Sequence, residues 1–126
     1  MCILYYMKID EFVEILNKSG CENKIVILKL SATWCNPCKK INPTWKVLLD
    51  RYNLDNVCRV IELDIDESPE LYAKLKRSRM VNGIPAFLMW NPSVSRDNWV
   101  IHDNGICSSD PNILMLWVNN LLKGSY

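Results

Sequence analysis

The sequence predicts an α/β fold in which a mixed β-sheet carries helices on both faces. Helical and strand patterns alternate as βαβαβα and then end as ββα, which predicts parallel units first and an antiparallel hairpin last. The chain has 126 residues, 49% of them hydrophobic, which is enough for the core of one domain. No repeat, low-complexity segment or linker divides it, so residues 1–126 are expected to form a single domain.

The first third of the chain predicts a strand, a helix and a second strand. Ile3–Tyr6 has the pattern of a short strand. Asp10–Lys18 is predicted to be an amphipathic helix with Gly20 behind it as a stop, because four apolar residues share one face: Phe12, Val13, Ile15 and Leu16. Lys24–Ser31 is almost continuously apolar, which is typical of a strand covered on both faces.

A second helix is predicted from Asn36 to Tyr52. Pro37 suits its first turn, where a missing N–H removes no helical hydrogen bond. Pro43 is expected to bend the helix, because it removes the bond to the Lys39 carbonyl.

Two helices and three strands are predicted in the remainder of the chain. One helix begins with Ser68 as cap and Pro69 in the first turn, and ends near Lys76. The last helix begins at Asp110–Pro111 and ends at Gly124. The predicted strands are Val57–Ile65, Ala86–Trp90 and Trp99–His102.

Cys35 and Cys38 lie at the start of the second predicted helix, where their spacing puts them on one face, one turn apart. At the helix start, Cys35 meets unpaired N–H groups and the positive end of the helix dipole, which stabilise a thiolate. Cys38 is better covered and close enough to form a disulfide with it. An attacking thiol and a resolving thiol on one rigid element favour thiol–disulfide exchange.

A metal site is the alternative interpretation of a Cys-x-x-Cys motif. Zinc needs about four ligands, and the remaining candidates are scattered singly: Cys2, Cys21, Cys58, His102 and Cys107. We therefore expect no metal within one chain, although a site shared between two chains remains an alternative. No strand–GxGxxG–helix unit is present for a flavin or nicotinamide, so the cysteine pair itself is the expected redox group and no cofactor is expected.

The overall charge and the apolar runs of the sequence limit the classes of partner. A net charge of +1 gives no electrostatic reason to expect nucleic acid or an anionic membrane. No run approaches the roughly 20 apolar residues of a membrane span. The segment Met1–Met7 has no basic lead and a very short apolar run, so it is a poor signal peptide. We expect a cytoplasmic monomer.

The segment Trp34–Lys39, Trp-Cys-Asn-Pro-Cys-Lys, resembles the Trp-Cys-Gly-Pro-Cys-Lys signature of the thioredoxin family, with Asn36 in place of glycine. Further segments resemble that family's pattern: Pro43, Asp64–Asp66, Gly83–Pro85 and Gly105. The resemblance covers nearly the whole chain. It implies the thioredoxin fold, with a central mixed five-stranded sheet flanked by four helices.

The resemblance also implies a substrate-binding surface around the reactive sulfur. A cis Ile84–Pro85 bond would set Pro85 against the cysteine pair and leave the Ile84 backbone free to bond an extended substrate. The implied surface is flat and apolar, which suits the varied disulfides of other proteins. Its residues are Trp34, Pro37, Ile84, Pro85, Gly105 and Ile106.

Lys29 is the main departure from the family pattern. Many members bury an aspartate at this place, and they often carry a lysine where this chain has Glu62. We hypothesise that Lys29 and Glu62 form an ion pair beneath the cysteines, because a lone buried charge costs several kcal/mol. Glu62 would then take the proton of Cys38, and Lys29 would support the thiolate.

These features predict a reductant of protein disulfides that acts through Cys35 and Cys38. Its expected partners are disulfide-containing proteins and a thioredoxin reductase or other electron donor. Two alternatives remain open: a disulfide oxidase or isomerase, because Asn36 departs from the commonest reductant motif, and a binding or assembly module with incidental cysteines. Cys107 lies near the predicted site, where either a regulatory disulfide or an inert thiol fits the sequence.

Overall fold

The computed structural model describes residues 2–3, 7–91, 94 and 96–124. Within these residues one five-stranded sheet has the strand order β1-β3-β2-β4-β5. The strands β1, β2 and β3 run parallel to one another, whereas β4 is antiparallel to β2 and β5 is antiparallel to β4. The bounds of the strands are Cys2–Ile3 for β1, Ile25–Ser31 for β2, Cys58–Asp64 for β3, Ala86–Trp90 for β4 and Asn104–Ile106 for β5.

Five helices in the described part of the chain cover both faces of the sheet. They are α1 (Ile9–Glu22), α2 (Asn36–Tyr52), α3 (Leu54–Val57), α4 (Pro69–Arg77) and α5 (Pro111–Leu122). Side chains of α1 and α4 belong to the core on one face, and those of α2 and α5 belong to the core on the other. The predicted α/β class and thioredoxin fold are confirmed.

The central strand β2 explains how one apolar run serves both cores. Val26, Leu28 and Leu30 pack into the core of α1 and α4, while Ile27 packs against α2 and α5. This alternation is the side-chain period of a strand buried on both sides. Lys29 is the charged exception, and it pairs in register with Glu62 of β3.

The last strand is not where the sequence predicts it. β5 comprises Asn104–Ile106, whereas Trp99–His102 forms a turn and an irregular segment. The Trp99 carbonyl accepts a hydrogen bond from the Trp90 indole at 2.7 Å, and Val100 is buried in the core of α1 and α4. The apolar residues of Trp99–His102 therefore reflect the packing of a turn against that core.

Other boundaries also differ from the prediction. α1 passes through Gly20 and ends at Glu22, and the C-cap residue Asn23, with a left-handed φ of 57°, closes the helix. The one-turn helix α3 follows Asn53, also left-handed, and makes five helices where four were predicted. β1 includes Ile3, and residues 4–6 of the predicted first strand lie outside the described residues. Among the described helices, none is long and apolar enough to cross a bilayer.

Candidate active site

Cys35 and Cys38 are joined by a disulfide at the amino end of α2, with their Cα atoms 5.2 Å apart. Cys35 is the N-cap residue, and its sulfur accepts a hydrogen bond from the Cys38 N–H at 3.2 Å. Cys38 is 1% exposed and Cys35 is 4% exposed. The sulfur of Cys35 therefore occupies the anion-stabilising position of the helix, and Cys38 is the more covered of the two.

The Ile84–Pro85 peptide bond is cis, and it leads directly into β4. Ile84 packs against the small cluster formed by Ala32, Cys35 and Cys38. Beside it an open groove of about 480 Å³ runs past Pro37, Pro85 and the segment after β5. We call this the cis-proline groove; its lining residues are Pro37, Asn82, Gly83, Ile84, Pro85, Cys107, Ser108 and Ser109.

Three of the predicted substrate-binding residues lie outside the lining of the cis-proline groove. Trp34 is 62% exposed, and its indole N–H donates to the Asp66 carboxylate at 2.6 Å. Ile106 is half-buried against the core of α2 and α5, and Gly105 pairs with Leu88 of β4. The groove thus brings together Pro37, Ile84 and Pro85 of the predicted set.

The ion pair predicted between Lys29 and Glu62 is present, with Lys29 Nζ 3.5 Å from Glu62 Oε1. The side chains are 4% and 17% exposed, respectively. Burial lowers the pKa of Lys29, and the adjacent Glu62 carboxylate opposes that shift. Both residues line a cavity of about 420 Å³ between α2 and the strands β2 and β3.

The sequence analysis missed two residues that orient this site. Asn42 Oδ1 accepts a hydrogen bond from Lys29 Nζ at 2.5 Å, and Asp66 holds the Trp34 indole. Asn42 comes four residues after Cys38 on α2, a spacing that puts both side chains on one helix face. That spacing was the available signal for Asn42. The sequence marks Asp66 only as part of the family-like segment Asp64–Asp66, because its partner Trp34 is 32 residues away.

The remaining thiols described here are separate from the disulfide. Cys21 and Cys107 are exposed, and Cys58 is buried, which raises its pKa to about 11. Burial lowers the pKa of His102, although a backbone bond to Val100 opposes it. No group of three or more metal-ligating side chains with metal-site geometry occurs within the described residues.

Fold and site together define a protein in which a Cys-x-x-Cys pair opens a helix beside a cis-proline on a mixed sheet. The family model described as Thioredoxin matches residues 4–104. The chain therefore belongs to the thioredoxin family, and the resemblance seen in the sequence is confirmed.

Individual relatives agree with this assignment. The chain is 40% identical to rabbit (Oryctolagus cuniculus) thioredoxin over 63 residues, which are 50% of this chain and 55% of that protein. The match thus spans about half the length of such curated relatives. The thioredoxin structure of Fasciola hepatica has a TM-score of 0.70 at 18% identity, covering 95% of this chain and 98% of that one. The thioredoxin structure of Trypanosoma brucei brucei has a TM-score of 0.69 at 18% identity, covering 98% of this chain and 91% of that one. At such identities the structural likeness bears on the fold alone.

Proposed function

We propose that this protein reduces disulfides of other proteins by dithiol–disulfide exchange, as a thioredoxin-type enzyme. The observation that carries the proposal is the Cys35–Cys38 disulfide at the amino end of α2, beside the cis Ile84–Pro85 bond. The groove next to that bond is open, which suits an extended polypeptide. Membership of the thioredoxin family supports the same activity.

The proposed reaction has two exchange steps. In the first, the Cys35 thiolate attacks one sulfur of a substrate disulfide, and the other substrate sulfur leaves as a thiolate. In the second, Cys38 loses its proton and attacks the Cys35 sulfur. The Cys35–Cys38 bond forms as the mixed disulfide breaks, and the second substrate sulfur leaves. The substrate has then gained two electrons, and two protons from the surroundings complete its thiols.

Lys29 and Glu62 are proposed to assist the second step. The Glu62 carboxylate accepts the Cys38 proton, directly or through water in the cavity that Lys29 and Glu62 line. The Lys29 ammonium stabilises the thiolate that remains. Pro85 and Ile84 bind the substrate backbone at the cis-proline groove, with Trp34, Pro37, Gly105 and Ile106 as further contact residues.

The proposed partners follow from the same chemistry. Substrates are proteins that present a disulfide on an extended segment, and a thioredoxin reductase or other donor returns two electrons to the oxidised pair. The cytoplasm is the proposed location, because its reducing poise keeps such a pair available as a dithiol. A net charge of +1 gives no electrostatic reason to add nucleic acid to these partners.

Insulin reduction with dithiothreitol tests the proposal. We expect the wild-type protein to accelerate insulin precipitation and Cys35→Ser to abolish the acceleration, because that change removes the attacking sulfur. Equal rates for the two proteins would instead favour a binding module with incidental cysteines. In extracts, Cys38→Ser should hold substrates as mixed disulfides, and the Cys35→Ser/Cys38→Ser double variant is the matched control.

An oxidase or isomerase is the second candidate, and the Lys29 charge beneath the pair favours it. A cation stabilises thiolates and so stabilises the reduced form of the pair. The disulfide form then becomes a stronger oxidant. Equilibration with glutathione distinguishes the two activities. A reduction potential near or above about −180 mV would favour oxidation or isomerisation over reduction.

A further inference from the structure

Lys29 is held by an amide as well as by a carboxylate. Its Nζ donates to Asn42 Oδ1 at 2.5 Å and lies 3.5 Å from Glu62 Oε1, so the amide contact is the closer of the two. The Lys29 side chain is only 4% exposed. A buried ammonium with three N–H donors requires nearby acceptors, and Asn42 supplies one without supplying a charge.

Asn42 connects Lys29 to the resolving cysteine through α2. It follows Cys38 by four residues on this helix, so the two side chains are neighbours on one face. Asn42 also lines the cavity that contains Lys29 and Glu62. The Lys29 ammonium is therefore hydrogen-bonded to the helix that carries Cys38, one turn further along it.

Other charged side chains near Lys29 affect its protonation, so the hydrogen bond to Asn42 matters for its charge. Lys39 and Lys46 of α2 and Glu62 and Asp64 of β3 line the same cavity. Burial and Lys46 lower the pKa of Lys29, and Glu62 raises it. A charged ammonium donates a stronger hydrogen bond than a neutral amine does. The bond to Asn42 therefore favours the ammonium form of Lys29.

We propose that Asn42 is a positioning residue for the second exchange step: it fixes the Lys29 ammonium beneath Cys38, so that the cation stabilises the Cys38 thiolate. This inference rests on the function proposed above and adds a residue to it. As Cys38 attacks, its sulfur bonds to Cys35 and the Cys35–substrate bond breaks. The proton of Cys38 goes to Glu62, and the substrate sulfur leaves as a thiolate. The neutral amide holds Lys29 without cancelling its charge.

The test separates the two steps with 5,5′-dithiobis(2-nitrobenzoate). Reduced protein releases one coloured thiolate when Cys35 attacks the reagent and a second when Cys38 resolves the mixed disulfide. Every protein in the comparison carries Cys2→Ser, Cys21→Ser and Cys107→Ser, so that these three thiols do not contribute. Rates are recorded from pH 6 to pH 9.

We expect Asn42→Ala to slow the second release by about tenfold near neutral pH, the lower end of the scale for a lost hydrogen bond to a charged group. Its rate should recover as rising pH ionises Cys38 without help. The first release should change less than about twofold, because the helix end supplies most of the stabilisation of Cys35. Thr44→Ala, a neutral change on the same helix at a residue of intermediate exposure, should behave as wild type.

Asn42→Asp distinguishes an electrostatic role from a structural one. It retains an acceptor for Lys29 but adds a charge that cancels the cation, so we expect a slow second release here as well. A wild-type second release in Asn42→Asp, or in a folded Asn42→Ala, would overturn the inference. The assay needs no protein substrate, so a failure of insulin reduction by the wild-type protein would count against the proposed function and leave this result interpretable.

Discussion

Among single residues, Cys58 has the most clearly perturbed titration. It opens β3 inside the core of α2 and α5, and burial raises its pKa from 9.0 to about 11. In the unfolded chain the thiol ionises at the lower value, so the folded state holds more protons between these two pH values. The stabilisation that Cys58 provides as a neutral thiol is therefore complete below pH 9 and is lost as the pH rises towards 11.

We accordingly predict that alkaline pH destabilises the wild-type protein more than Cys58→Ala. Two pKa units correspond to about 2–3 kcal/mol at most, so a difference of about 1–2 kcal/mol should develop between pH 8 and pH 10. Urea unfolding in a Cys35→Ser/Cys38→Ser background under reductant measures it without disulfide exchange. Parallel pH dependence of the two proteins would show that Cys58 is not held neutral in the folded state.

Prediction from sequence was strongest where a residue's role depends on its own segment. The position of Cys35 at a helix start, the pairing with Cys38 and the bond to Pro85 all follow from short local motifs. The contact between Lys29 and Glu62 was predicted because two departures from one family pattern matched. For Asn42 the four-residue spacing from Cys38 was a weaker signal, since an asparagine within a helix is ordinarily interpreted as a surface residue.

Among the secondary-structure elements, the predicted last strand differs most from the observed one. Strand β5 has three residues, too few for an alternating pattern to identify it. Trp99 and Val100 carry the stronger apolar pattern, yet a hydrogen bond from the Trp90 indole holds Trp99 in a turn. Tertiary contacts with α1 therefore decide where the last strand begins.

The pairing of β4 with β5 depends on the missing side chain of Gly105. A Cβ at this position would meet Leu88 Cδ2 at 2.7 Å, His102 Nε2 at 3.0 Å and the Phe87 carbonyl at 3.1 Å. The side chain of Leu88 has limited room to move because it is buried in the core. The absence of a side chain at Gly105 thus has a packing reason that is independent of substrate binding.

We predict that Gly105→Ala lowers the free energy of unfolding by about 1–3 kcal/mol, the usual cost of overpacking a core contact. Gly83→Ala is the matched control, because a Cβ there meets nothing within 4 Å. Urea unfolding of both variants gives the comparison. Equal stability of Gly105→Ala and wild type would mean that β5 shifts to admit a methyl group, and the packing explanation would then be wrong.

For the whole molecule, redox state and folding stability are linked. The free energy that separates the oxidised and reduced folded forms sets the reduction potential, and each form also has its own free energy of unfolding. A charge that stabilises a thiolate stabilises the reduced fold alone. Lys29 and Glu62 carry opposite charges and line one cavity beside α2, the helix that begins at the cysteine pair. Removing Lys29 and removing Glu62 should therefore shift the reduction potential in opposite directions, and likewise the stability difference between the two redox forms.

We predict that Lys29→Met makes the protein more reducing and that Glu62→Gln makes it more oxidising, each by about 10–30 mV. The first change removes the cation that favours thiolates, and the second removes the anion that opposes them. Glutathione equilibration measures the potential, and urea unfolding of oxidised and reduced protein measures the stability difference. Because about 30 mV equals about 1.4 kcal/mol for two electrons, the two measurements should agree within each variant. Shifts of the same sign in both variants would mean that the pair acts through packing rather than through charge.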